Sequence, residues 1–377
     1  MKILGISAFY HDAAAALLIE GLPVAAVQEE RLSRHKNDPA FPLRAAEWCL
    51  DRAGLEPERL DAVIFYERPA LKFDRVLMTL LRGFPHSWRI FPKAMKNMVG
   101  EKLWVRGIIS AQLGIPARRV HFTDHHLSHA AAAFLTAPTE RAAILTADGV
   151  GEWATLTVGQ ASKRTGGPVE INLLREVHFP HSLGLFYSAF TAWLGFKVNE
   201  GEYKVMGLAA YGVPRFANEV RRILQRTPDG AFALDLGFFD YHRAVDSAYS
   251  RRFVELFGPP RDSFEPIDLG TMQGRHYADV AASAQAVLEE VIVDIATSLQ
   301  KETGLADLCL GGGVGLNGVA NARILREAGF ERLFVPSAPG DAGCALGAAL
   351  WADRILFGQP HRDCPDHPFW GPAVEPD

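Results

Sequence analysis

His125 and His129 stand four residues apart in the run His125-His126-Leu127-Ser128-His129. On a helix that spacing puts both imidazoles on one face, about one turn apart, where they can reach a single metal ion. Taken alone, the pair can equally be two helix histidines facing water. Downstream, an apolar stretch ends at Asp148-Gly149, a glycine turn that can point a carboxylate into a cleft. Nitrogen and oxygen donors of this kind suit iron, manganese or zinc and do not choose among them. A second carboxylate, Asp341, lies in a tight loop just before a helix of small residues. It serves there either as that helix's N-cap or as a further ligand of the same centre.

Other residues have chemistry to offer beside such a centre. Gly311-Gly312-Gly313 follows an apolar strand and precedes a helix. Its backbone N–H groups can meet a phosphate, or the glycines make only a tight turn. Asn317, one turn further on, can reach a sugar or phosphate oxygen. The run Asn199-Glu200-Gly201-Glu202-Tyr203-Lys204-Val205-Met206-Gly207-Leu208 gathers two acids, a lysine and two glycines in an apolar context. A plain surface turn is the alternative there. Tyr10-His11-Asp12 sets a histidine at a β-turn, a placement suited to general acid–base work near neutral pH. Arg34-His35-Lys36 either meets a phosphate or is a basic loop.

These groups need a frame. Residues 2–7, 13–19 and 24–29 read as three strands joined by tight turns, followed by a helix over 42–53 and a strand over 62–66. The same grammar restarts near Arg141, with strands over 142–147, 153–158 and 171–177 and a helix from about Leu183. A strand-strand-strand-helix unit used twice is an internal duplication at domain scale. It predicts two α/β halves, 1–140 and 141–357, with the hairpin turns facing a cleft between them. A long helix over 277–303, a strand over 308–310, a helix to about 328, a strand over 333–335 and a last helix after Asp341 continue the alternation of a helix-covered parallel or mixed sheet. Residues 67–118, rich in Arg and Lys, interrupt the first half. They are expected to form a solvated helical insertion; a partner surface or acceptor wall is the alternative. Residues 229–275 form a second insertion.

At 377 residues, 48% hydrophobic and 22% charged, the chain has the composition of a globular protein of about two domains. A net charge of −5 gives no reason to expect nucleic acid or a membrane surface as partner. Cys49, Cys309, Cys344 and Cys364 form no CxxC pair, as expected of free thiols in a reducing compartment. With no signal-peptide pattern and no apolar run of spanning length, a cytoplasmic location is expected.

The motifs Gly5-Ile-Ser-Ala-Phe-Tyr-His11-Asp12, Glu29-Glu-Arg-Leu-Ser-Arg34, Asp124-His-His-Leu-Ser-His129, Glu200-Gly-Glu-Tyr-Lys204-Val-Met-Gly-Leu-Ala-Ala-Tyr-Gly212 and Gly311-Gly-Gly-Val-Gly-Leu-Asn317-Gly-Val-Ala-Asn321 occur in this order. Together, over roughly residues 1–355, they resemble the O-carbamoyltransferases, including the nodulation-factor, cephamycin and tobramycin enzymes. The same domain is similar to the tRNA threonylcarbamoyl transferase. The resemblance implies the duplicated actin/Hsp70/sugar-kinase fold. It also implies one metal ion, iron(II) in the family, on His125, His129, Asp148 and Asp341. Carbamoyl-adenylate, made from ATP, would bind near Lys36, Lys204, Gly207, Gly311, Gly312 and Asn317. A hydroxylated small-molecule acceptor would attack it, with His11 handling the proton. Residues 358–377 resemble the opening of a YrdC-like activating domain: either a separate protein supplies that activity, or the chain is a fragment, or it has lost the full reaction. The oligomeric state stays open. An ATPase or sugar kinase of the same fold would leave the histidine pair unexplained, since such enzymes use Mg²⁺ with carboxylates and water. A catalytically incomplete nucleotide- or metal-binding subunit is the non-enzymatic alternative. A zinc protease lacks support, because the pair has no HExxH glutamate.

Overall fold

The computed structural model describes residues 1–84, 91–97, 103–227, 230–244, 247–365 and 367–373. The first sheet comprises β1 (Lys2–Ser7), β2 (Ala14–Ile19), β3 (Leu22–Gln28), β4 (Ala62–Phe65) and β5 (Val120–Phe122), in the order β3-β2-β1-β4-β5. The second uses β6 (Arg141–Ala147), β7 (Ala154–Lys163) and β8 (Val169–His178). After a small hairpin of β9 (Leu224–Arg226) and β10 (Phe232–Leu234), it is completed by β11 (Asp307–Gly311) and β12 (Arg332–Phe334). Its order, β8-β7-β6-β11-β12, repeats the first sheet strand for strand. In each, three antiparallel strands are followed by two parallel ones: β1 pairs with β4 as Ile3 with Ala62, and β6 with β11 as Ala143 with Leu308. The duplicated mixed α/β fold expected of the actin/Hsp70/sugar-kinase class is therefore present in the strand pairing itself.

The central strands are apolar runs buried on both faces, as helix-covered strands must be. One core packs around the first sheet and one face of the second, taking in Ile144 and Cys309, and the other covers the opposite face of the second sheet, with Leu145 and Leu310. The long helix Met272–Thr303 lies over the second sheet and begins earlier than expected, because Thr271 caps it by accepting from the Gly274 N–H. The helix Asp341–Trp351 follows the second sheet in sequence but packs on β1, β2 and the helix His125–Leu135. Two glycines permit that approach: a Cβ on Gly5 would lie 1.8 Å from the Ala345 carbonyl oxygen, and one on Gly347 would lie 2.0 Å from the Ser128 carbonyl oxygen.

The insertion differs from the solvated helical segment expected. Its helix Pro69–Arg82 buries Lys72 and Arg75 rather than exposing them. Lys72 donates to both Glu67 carboxylate oxygens, at 2.8 and 2.7 Å, and sits over the Tyr10 ring; Arg75 lies over Phe179. Arg89 and Lys102 of the same basic run lie outside the described residues. β5 was also unexpected: Val-His-Phe is only three residues, too short to establish a period.

Candidate metal centre and cleft

The duplicated hairpins aim their turns at one place. The β1–β2 turn passes through non-glycine residues with positive φ, Phe9 at 71° and Asp12 at 51°, and presents His11. The equivalent β6–β7 turn presents Asp148. His125 and His129 come from the first two turns of the helix His125–Leu135, and Asp341 from the first residue of its own helix, whose N-cap is Gly340. The capping role open to Asp341 is thus held by its neighbour.

Ligand atoms of His125, His129, Asp148 and Asp341 lie within 4.8 Å of one another, and all four residues are buried. His125 Nε2 is 3.0 Å from Asp148 Oδ2 and 3.1 Å from His129 Nε2; Asp341 Oδ1 is 3.5 Å from His129 Nε2 and 3.7 Å from His125 Nε2. Both Asp341 oxygens are buried without a hydrogen bond. A fully buried carboxylate in that condition is costly unless a cation meets it. Two imidazole nitrogens and two carboxylates converging on one point therefore fit a divalent transition-metal ion.

Electrostatics agree with that fit. Burial by itself would raise the Asp148 carboxyl, but hydrogen bonding and charge from His125 and His129 hold it well below the usual carboxylate range. Burial and Asp148 likewise push Asp341 upward, and His11, His125 and His129 outweigh them. Burial opposes protonation of His129, yet the Cys344 sulfur and the two aspartates raise it well above an ordinary histidine. Without an ion the cluster is held together by ionised carboxylates and bound protons, and an incoming cation displaces protons.

Behind the ligands, Glu152 was not anticipated. Its carboxylate accepts from the His125 backbone N–H at 3.1 and 3.2 Å and from the Arg68 N–H at 2.7 Å. It supplies the cap that Asp124 does not, because Asp124 pairs with Arg68 instead. The Asp148-Gly-Val-Gly-Glu152 spacing was its one sequence signal.

His126 points away from the ligands. Its Nδ1 is 2.6 Å from the Thr146 hydroxyl and its Nε2 2.9 Å from the Ala154 carbonyl, so the ring is neutral with Nε2–H donating. Burial, then the neighbouring histidines, push its pKa down to about 3 from 6.5. Protons therefore bind the unfolded chain first as pH falls. The stability this ring contributes is complete above 6.5 and is lost progressively toward 3. Between pH 7 and 5 the loss through this residue is about 2 kcal/mol. Urea unfolding at the two pH values should show it in the native chain and not in His126→Asn.

A cavity of about 280 Å³ opens beside the centre. His11, Asp148 and Gly340 line the end nearest the candidate ligands; Leu185, Tyr203, Met206, Leu288, Val314 and Leu316 give it apolar walls, and Lys36 and Asn317 also border it. Asn317 exchanges two hydrogen bonds with Gln285 and caps the following helix through the Ala320 N–H. Lys204, Gly207, Gly311 and Gly312 do not line the cavity. The Lys204 ammonium lies over Phe196 and Tyr203. The Gly312 N–H bonds the Pro339 carbonyl, and the next one, of Gly313, bonds Asp148 Oδ1 at 2.8 Å. The glycine loop thus holds a candidate ligand with the N–H it was expected to offer a phosphate.

The family model described as carbamoyltransferase N-terminus matches residues 2–350. The chain belongs to the carbamoyltransferase family. Among curated relatives of the chain, an uncharacterised protein of Synechocystis is 45% identical over 92% of the chain and 56% of its own length. The nodulation protein NolNO of Sinorhizobium fredii is 32% identical over 98% of the chain and 50% of its own length. The chain thus spans about half the length of these curated relatives. A solved structure, HypF of T. kodakarensis, resembles it with a TM-score of 0.46 and 16% identity, covering 95% of this chain and 48% of that one. Among the described residues no helix is long and apolar enough to cross a membrane.

Proposed function

We propose that this chain performs the transfer half of an ATP-dependent O-carbamoylation, moving a carbamoyl group from carbamoyl-adenylate to a hydroxyl of a small-molecule acceptor. The observation that carries this reading is the buried Asp341 carboxylate, without hydrogen bonds among its histidine and aspartate neighbours, beside a cavity lined by His11, Asp148 and Gly340. A divalent ion held by His125, His129, Asp148 and Asp341, iron(II) by family resemblance, would supply a Lewis acid that polarises the carbamoyl carbonyl.

The remaining chemistry falls to the chain's own side chains. His11 Nδ1 lies 2.9 Å from Asp12 Oδ2, which orients the ring and leaves Nε2 facing the centre, 3.8 Å from Asp341 Oδ2. Nε2 takes the proton of the acceptor hydroxyl as its oxygen bonds to the carbamoyl carbon. The bond from that carbon to the phosphate oxygen breaks, and AMP leaves with the electron pair. The apolar cavity walls hold the adenosine, with Asn317 and Lys36 at its polar edges. The carbamoyl-adenylate is supplied by a YrdC-like activating activity.

The test is to give the metal-loaded chain carbamoyl-adenylate, or carbamoyl phosphate, ATP and a YrdC-like protein, together with a panel of hydroxylated acceptors. Mass spectrometry should find a carbamoylated product that requires the chain. A complete absence of product with every acceptor would sink the proposal.

A further inference from the structure

An imidazole that gives its Nε2 lone pair to a metal ion must carry its proton on Nδ1. Ligand histidines ordinarily donate that proton to a carboxylate, a carbonyl or water, which fixes both tautomer and ring orientation. Neither histidine of this centre has an oxygen partner there among the described residues. His125 Nδ1 is buried with no hydrogen-bond partner. His129 Nδ1 has the Cys344 sulfur, at 3.2 Å. His126, between them in sequence, has oxygen partners on both ring nitrogens, so this stretch of helix is not generally short of acceptors.

Cys344 is fully buried and lies three residues beyond Asp341, on the same turn of the helix. The close crossing at Gly347 and Ser128 holds that turn against the helix bearing His129. One turn therefore delivers both a candidate ligand and the group that contacts another ligand from behind.

We propose that Cys344 is the outer-sphere partner of the metal centre: its sulfur accepts a hydrogen bond from the Nδ1–H of His129 and so commits Nε2 to the ion. This rests on the metal reading above. Sulfur is a weak acceptor, so His129 is oriented without being made strongly electron-donating, and the ion keeps its Lewis acidity. Cys344 acts through His129 and is a positioning residue. The competing explanation is a small apolar side chain that merely fills space.

Metal affinity separates the two. The full chain is stripped with a chelator and titrated with zinc(II) against a competing chelator, beside C344A, C344V and C344S, with thermal unfolding recorded for each. Alanine and valine remove the acceptor but leave different volumes; both should bind zinc about tenfold more weakly, at the low end for loss of an outer-sphere partner. Serine retains an acceptor and should stay within about threefold of the native chain. Independently of any variant, a ¹H–¹⁵N spectrum of the zinc-loaded native chain should show His129 protonated at Nδ1. If the native chain takes up no zinc, the metal reading falls and this inference with it. If it binds zinc and the three variants bind equally well, or His129 carries no Nδ1 proton, only the role of Cys344 falls.

Discussion

Replacing His125 and His129 together with alanine is expected to reduce bound metal to background and transfer activity by on the order of 10³-fold or more. The size follows from losing a Lewis acid that contributes several kcal/mol at the reacting carbonyl. Alanine suits a helix interior, so circular dichroism should still report the fold. Thermal stability should fall, because Asp148 and Asp341 are left buried with neither imidazole nor cation. Elemental analysis of native and variant chains decides the matter: equal metal content would mean that the four residues are a structural ion-pair cluster.

His11→Asn should lower transfer by roughly 10²- to 10⁴-fold, the usual range for a positioned general base, while metal content stays at the native level. Retained metal distinguishes this variant from the histidine pair. The same electrostatics explain why the base needs a loaded centre. Burial opposes protonation of His11, but Asp341, Asp12 and Asp148 together raise its pKa to about 9. A ring still protonated at neutral pH cannot accept a proton. When Asp341 and Asp148 direct their charge to a cation, two of those three influences weaken and the ring moves toward its neutral form. Activity of His11→Asn at the native level would remove His11 from the chemistry.

Much of the frame was legible in advance, because the duplicated hairpins are built from apolar runs punctuated by Gly, Pro and Asp. β1, β2, β6 and β11 fall within a residue or so of their expected limits. What could not be read was whatever depends on packing between distant segments. The Asp341 helix crosses back onto the first sheet, and nothing in its small residues says which sheet they will meet. Lys72 and Arg75 look like surface charges until Glu67 and the rings of Tyr10 and Phe179 bury them. Glu152 follows a glycine turn and gives no local hint that it caps a helix earlier in the chain. The glycine-rich loop was legible as a turn, but that its N–H groups face Asp148 and Pro339 depends on tertiary register.

The four candidate ligands span the chain from the helix after the first sheet to the helix after the second. An ion joining them acts as a reversible cross-link. It closes a long loop whose conformational freedom in the unfolded chain grows with the logarithm of its length, and its binding free energy adds directly to that of folding. Native stability then has no single value: it rises with the logarithm of free cation concentration, and the melting temperature of this protein becomes a gauge of the metal available around it.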